Sequence, residues 1–187
     1  MRRLSRYFAA ICLSAGALTS AAPPPLQALP ALEVTGYMGL WYQVAWYPNR
    51  FQSQCVSDTR ANYSLRADGR IEVVNRCTLL DGRSDEALGI ARPVGRIEGP
   101  LLQPAQLEVS FLPAILRWLP FGWGNYWVVD LASDGRYALV SEPTREYLWV
   151  LARQPQLAPS DEAAVRETLA RLGFDLQRLV AHPQRVP

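Results

Sequence analysis

Two cysteines, one histidine and a scatter of carboxylates are the side chains of this chain with the strongest claim to chemistry. His182 is its only histidine and stands beside Pro183 near the terminus. A Ser-His-Asp triad, a histidine-rich metal centre or an axial haem ligand therefore has little to draw on. G-x-S-x-G, H-E-x-x-H and phosphate-cradling glycine loops are absent from the sequence. The neighbouring acids Asp85-Glu86 and Asp161-Glu162 read as solvated charge and helix capping. A carboxylate pair held inside a cavity could still act as general acid and base, for which Glu98, Glu108 and Asp130 are the candidates. The expectation is a binding protein rather than an enzyme, with no catalytic residue, cofactor or metal.

Cys55 and Cys77 matter for another reason. Residues 1–21 read as an export signal: Arg2, Arg3 and Arg6 form a basic head, "YFAAICLSAGAL" an apolar middle and "TSA" a cleavage site. Two thiols in an exported chain favour a disulfide, worth about 3 kcal/mol for a loop of this size, over two buried free thiols. The third cysteine, Cys12, lies in the signal, where the bulky Ile11 before it argues against a lipid anchor. The remaining ~166 residues suffice for one domain with a real core. The charge of 19 basic minus 17 acidic residues becomes 16 minus 17, or −1, without the three signal arginines, so nucleic acid is not an expected partner.

Between Phe111 and Trp123 stand eight large apolar side chains, Phe111, Leu112, Ile115, Leu116, Trp118, Leu119, Phe121 and Trp123, with Arg117 the only charge. Pro113, Pro120, Gly122 and Gly124 break this stretch too often for a membrane helix, which needs about 20 unbroken apolar residues. Burial is worth roughly 1.5–3 kcal/mol for each such side chain, so something should cover them.

The elements that must position these residues are short and strand-like. Residues 22–36, proline-rich, read as an extended arm, and the folded domain as 37–187. Eight runs carry strand composition between turn residues: 40–47, 57–66, 70–79, 86–93, 106–111, 125–131, 137–141 and 147–153. In "TRANYSLR", Thr59, Ala61, Tyr63 and Leu65 share one dry face. "PSDEAAVRETLARLGF" is punctuated as an amphipathic helix, with Ser160 as cap and Val165, Leu169 and Leu172 on one face. The fold expected is all-β: an eight-stranded antiparallel up-and-down barrel with this one C-terminal helix packed outside.

Chain order then sorts the connections between two ends. The Asp68-Gly69 and Asp134-Gly135 turns fall at a closed end. Segments 48–56, 80–85, 112–124 and 142–146 fall at the mouth. Cys55 and Cys77 share the mouth end of neighbouring strands, and Trp41 and Arg153 meet at the closed end, where indole and guanidinium can stack.

"YMGLWYQVAWYPNRF" resembles the first lipocalin signature, G-x-W, at Gly39-Leu40-Trp41, and "REYLWVLAR" resembles the third, with Arg153 as the arginine that covers the tryptophan. The similarity, to bacterial outer-membrane lipocalins and apolipoprotein D, runs from about Tyr37 to Val180; the second signature is degraded to "LASDG" and the usual lipid-anchoring cysteine is missing. The resemblance implies export to the periplasm, at or near the outer membrane, and a barrel that holds a fatty acid or lysophospholipid for envelope storage or transport.

Small residues Ala87, Gly89 and Ala91 leave room on the inward face of one strand, opposite a lining of Tyr63, Val73, Asn75, Val109, Tyr126, Val128, Leu139 and Trp149. Such a lining suits an apolar chain with a modest polar end. The apolar stretch at the mouth is expected to act as a lid or to dip into a membrane surface, and Arg50 and Arg145 in mouth loops are the candidates for holding a carboxylate or phosphate. A monomer or weak dimer is expected. The alternative is an envelope interaction protein that docks through the 111–124 loop with an empty barrel.

Overall fold

The computed structural model describes residues 23–185, so the stretch expected to be an export signal and Cys12 lie outside the described residues. The elements follow in the order β1 (Leu32–Glu33), α1 (Val34–Tyr37), β2 (Gly39–Trp46), β3 (Cys55–Leu65), β4 (Ile71–Leu79), β5 (Ser84–Pro93), β6 (Arg96–Glu98), β7 (Leu101–Gln103), β8 (Gln106–Ser110), β9 (Gly124–Leu131), β10 (Tyr137–Ser141), β11 (Leu148–Ala152), α2 (Pro159–Arg171) and β12 (Val180–Ala181). Strands β2, β3, β4, β5, β8, β9, β10 and β11 pair antiparallel in chain order, and β11 returns to β2. This closure gives every barrel strand a neighbour on both sides. All eight expected strands are present, none with a boundary moved by more than two residues. Leu65, expected on the dry face, has run past the base of the barrel and is exposed.

Each face of the barrel wall has its own core. The interior cluster includes Trp41, Ala61, Tyr63, Ile71, Val73, Ala91, Leu107, Val128, Val140 and Leu151. The outer cluster joins Tyr47, Val129, Leu139, Leu148 and Val150 to Val165 and Leu169 of α2. Burying those two helix side chains stabilises the docking by roughly 1.5–3 kcal/mol each. Ser160, expected as the helix cap, is inside the helix; Ala158 holds the cap position with Pro159 at the first helical residue. Instead of capping, Asp161 takes a two-pronged bond from Arg136, Nε at 2.9 Å and a terminal nitrogen at 2.8 Å, which pins the first turn of α2 to the turn before β10. The paired guanidinium holds the Asp161 carboxyl below its ordinary range.

Leu139 is a correction. The β9–β10 register shifts between Leu139 and Val140, so Leu139 pairs with Asp130 while Val140 pairs with Val128. The bulge reverses the alternation. Leu139 therefore points out under α2 and not into the barrel.

Both ends of the described chain are fastened to the barrel wall. The arm is not a loose extended segment: Leu26 and Leu32 are buried, and β1 joins β7 and β6 in a small sheet separate from the barrel. The Leu29 amide donates to Val128 at 2.8 Å and its carbonyl accepts from Ala105 at 2.9 Å, so the arm ties onto both β9 and the start of β8. At the mouth, β2 and β3 pair only through Gly39–Tyr42 and Arg60–Tyr63. Above that point the C-terminal tail enters the seam. His182 donates its amide to Val44 at 2.9 Å, Asp58 donates to Pro183 at 2.8 Å, and Gln184 Nε2 reaches the carbonyls of Gln43 and Thr59. Cys55 and Cys77 are joined in a disulfide across β3 and β4, Cα atoms 5.6 Å apart.

Candidate functional site

The base of the barrel is shut by one stack. Gly39 has φ +90, a backbone conformation that costs glycine nothing, and Arg153 packs against its bare Cα face. The Arg153 guanidinium lies 3.7 Å over the Trp41 ring and donates to the carbonyls of Leu40 at 2.8 Å and Gly36 at 2.7 Å. Trp41 is fully buried and donates its indole N–H to the Tyr37 carbonyl at 2.9 Å, so α1 is hung beneath the indole.

Above the stack, three hydroxyls meet. Tyr126 lies 2.7 Å from Tyr37 and 3.0 Å from Tyr63, oxygen to oxygen. Burial pushes the Tyr63 phenol up to about 12, and pushes those of Tyr37 and Tyr126 well above the ordinary value. The group is therefore neutral and polar. Around it, Tyr37, Met38, Tyr63, Ile71, Leu107 and Tyr126 leave a cavity of about 10 Å³, room for about one water. The lower half of the barrel is filled by its own side chains.

The upper half is different. Ala87 is exposed, and Asn75, Val109 and Trp149 are half-buried. The space expected at Gly89 is taken by Phe111: a Cβ built on Gly89 would stand 2.7 Å from that ring. The missing side chain on β5 thus makes a seat for an aromatic of the mouth loop. A chain of amides follows the inner wall. Trp149 Nε1 donates to Gln52 Oε1 at 2.9 Å, and Gln52 Nε2 donates to Gln43 Oε1 at 3.0 Å. Gln43 is 2% exposed and its Nε2 meets no acceptor. Neither glutamine was expected here. Gln43 stands two residues after Trp41 and shares its face, the one signal in the sequence that would have found it.

At the rim, Phe51, Leu80, Ile115, Trp118 and Phe121 are exposed, from 56% for Phe51 to 90% for Leu80. All belong to connections at the mouth. The 111–123 loop is not a floppy lid. Arg117 donates from Nε to the Leu112 carbonyl at 2.9 Å, and Trp123 Nε1 donates to the Arg117 carbonyl at 2.7 Å. Arg92 covers the Trp123 ring at 4.0 Å. Leu112 is wedged against Gly122, and Leu119 is half-buried. Trp123 and Leu112 therefore build the loop, while Ile115, Trp118 and Phe121 are what it presents.

Arg145 is a second correction. Its Nε binds the Leu172 carbonyl at 2.8 Å and a terminal nitrogen binds that of Pro24, tying α2 to the arm on the outside of the barrel. It does not face the mouth. Arg50 is exposed, 5.1 Å over the Phe51 ring. The carboxylates considered for the interior also point elsewhere. Glu98 pairs with Arg96 and Glu108 with Arg92. Asp130, whose carboxyl burial pushes up, interacts with Arg171 of α2.

A closed antiparallel barrel with an apolar interior, shut at the base by an arginine-covered tryptophan, is the architecture of small-ligand-binding barrels. The chain belongs to the lipocalin family: the model of the lipocalin-like domain matches residues 32–184. It is 35% identical to temperature-induced lipocalin-1 of Arabidopsis thaliana over 85% of this chain and 83% of that one. It is 34% identical to the outer membrane lipoprotein Blc of Escherichia coli K12, over 77% and 75%, and 31% identical to mouse apolipoprotein D, over 86% and 80%. Among solved structures, insecticyanin of the tobacco hornworm Manduca sexta superposes with a TM-score of 0.64 at 14% identity, over 86% of this chain and 85% of that one, a likeness of fold. Lipocalin barrels of this size hold small hydrophobic ligands.

Proposed function

We propose that this protein is a carrier that takes a fatty acid or lysophospholipid into the upper half of its barrel, at the surface of a membrane in the bacterial envelope. The observation that carries the reading is the coincidence of two apolar surfaces at one end. The half-buried Val109 and Trp149 of the interior lie toward the end of the barrel whose connections expose Phe51, Leu80, Trp118 and Phe121. An acyl chain leaving a bilayer through such a rim crosses apolar surface all the way, gaining about 0.8 kcal/mol per methylene buried. Resemblance to the Blc outer membrane lipoproteins supports the envelope as the place.

Because the base is filled, the chain has to occupy the upper half, and Phe111 has to leave its seat on Gly89 as the ligand enters. The 10 Å³ left at the base is also what favours the other reading, a docking protein with an empty barrel. Lipid extraction and native mass measurement on the purified protein separate the two. One acyl lipid per chain is the expected result; an empty barrel within a stable dimer or hetero-complex contradicts the carrier.

A further inference from the structure

The relay along the inner wall has a fixed direction. An indole N–H can only donate, so Gln52 must turn its carbonyl oxygen to Trp149, 2.9 Å away. That leaves the Gln52 amide nitrogen facing Gln43, which must answer with its own oxygen at 3.0 Å. The Gln43 amide nitrogen comes last and has nothing to donate to. Neither amide can be flipped without setting two donors face to face. Leaving a buried donor unpaired is costly, so the end of the relay is a place where an arriving acceptor is well received. Gln43 pairs across the wall with Leu151 of the interior cluster, which puts this donor inside the barrel.

We propose that Gln43 Nε2 is the group that reads the ligand's polar end, and that it selects an uncharged acceptor oxygen, such as the carbonyl of an acyl ester, over a free carboxylate. The inference rests on the carrier reading above and narrows its ligand. The choice between the two oxygens follows from charge. On the barrel strands, Arg60, Arg76 and Arg92 alternate with the inward Ala61, Asn75 and Ala91 and so face out, Arg153 lies beyond Trp41, Arg145 is tied outside and Arg50 is exposed at the rim. A carboxylate brought to Gln43 would lose its water with no cation to replace it, whereas an ester carbonyl needs only the one hydrogen bond. A charged headgroup on the same lipid would remain outside the mouth.

The test is a competition for the full mature chain between palmitoyl lysophosphatidylcholine and its hexadecyl-ether analogue, which differ only in the carbonyl. With both lipids equimolar, native mass spectrometry reads the ratio bound. The wild-type protein is expected to prefer the ester by about fivefold, the worth of one ordinary hydrogen bond. In Gln43→Met the ratio should fall to one, with the ether bound as before. Gln43→Glu, nearly isosteric and presenting an acceptor at pH 8, should also lose the preference and covers the case in which the methionine variant does not fold. Equal binding of the two lipids by the wild-type chain would overturn the proposal, as would a preference that survives both substitutions. Failure of the wild-type chain to bind either lipid would overturn the carrier reading itself.

Discussion

The Arg153 guanidinium sits 3.7 Å above the fully buried Trp41 ring and is bonded at the same time to the carbonyls of Leu40 and Gly36. One side chain thus joins β11, the start of β2 and the helical turn beneath the barrel. Each contact is modest alone, but the three share one immobilised side chain and close the sheet at its base. In Arg153→Met the stem is kept and the charge and donors are lost. A cation–π contact and two charge-assisted bonds together suggest a loss of about 2–4 kcal/mol. Thermal unfolding should move down by roughly 5–15 °C. A shift below about 2 °C would mean that the stack is ornamental.

The C-terminal tail makes a second prediction. His182 is buried, its Nε2 2.7 Å from Thr59 Oγ1 and its ring edge-on to Trp46. Burial holds the imidazole below its ordinary value, outweighing the Ser57 backbone bond and the Asp58 charge that favour protonation. The folded value is lower than the unfolded one, so the stabilisation is complete above about pH 6.5 and is lost as pH falls through the folded value. Melting temperature should hold steady from pH 8 to 7 and decline below 6.5. His182→Gln should decline less over that interval. Identical slopes for the two proteins would remove His182 from the explanation.

The apolar rim divides into residues that face outward and residues that hold the loop. Trp118→Ser with Phe121→Ser should weaken association with phosphatidylcholine liposomes at least tenfold while leaving the melting temperature within about 2 °C, since both side chains are exposed. Raised salt should barely weaken the wild-type association, because Arg117 is the single charge of the 111–123 loop and the side chains it exposes are apolar. Trp123→Ser is expected to behave differently: it breaks the bond to Arg117 and the stack under Arg92, and should lower stability. Liposome binding untouched by the first pair would disprove the role of the rim.

Phe111 fills the seat that Gly89 leaves. If the ring must move for a ligand to enter, Phe111→Ala should bind palmitoyl lysophosphatidylcholine more tightly than the wild-type chain, by roughly three- to tenfold, measured by calorimetric titration. Weaker binding would instead make Phe111 part of the site.

Much of this was legible in the residues, and what was not has physical causes. Alternating polarity marked the strands because one side of each strand is dry, and Trp41 and Arg153 could be brought together by counting strands around a closed sheet. That counting assumes an unbroken period of two. It fails at Leu139, where a bulge no local residue announces shifts the register. Contacts between distant segments were also hidden: Arg145 against the C-terminus of α2, His182 in the seam between β2 and β3, and Phe111 on Gly89. Gln43 was overlooked for a different reason. A polar residue in a strand reads as an outward one unless its parity with Trp41 is followed.

Whether the upper half of the barrel is the binding site is tested most directly by filling it. Ala87 shares the inward face of β5 with Gly89 and Ala91, pairs with Asn75 and is exposed, so Ala87→Trp adds a large ring to the cup without displacing a packed neighbour. Calorimetric titration with palmitoyl lysophosphatidylcholine should give one site per wild-type chain and at least tenfold weaker binding in Ala87→Trp, with the melting temperature unchanged. Equal affinity in the two proteins would place the lipid outside the barrel and contradict the carrier.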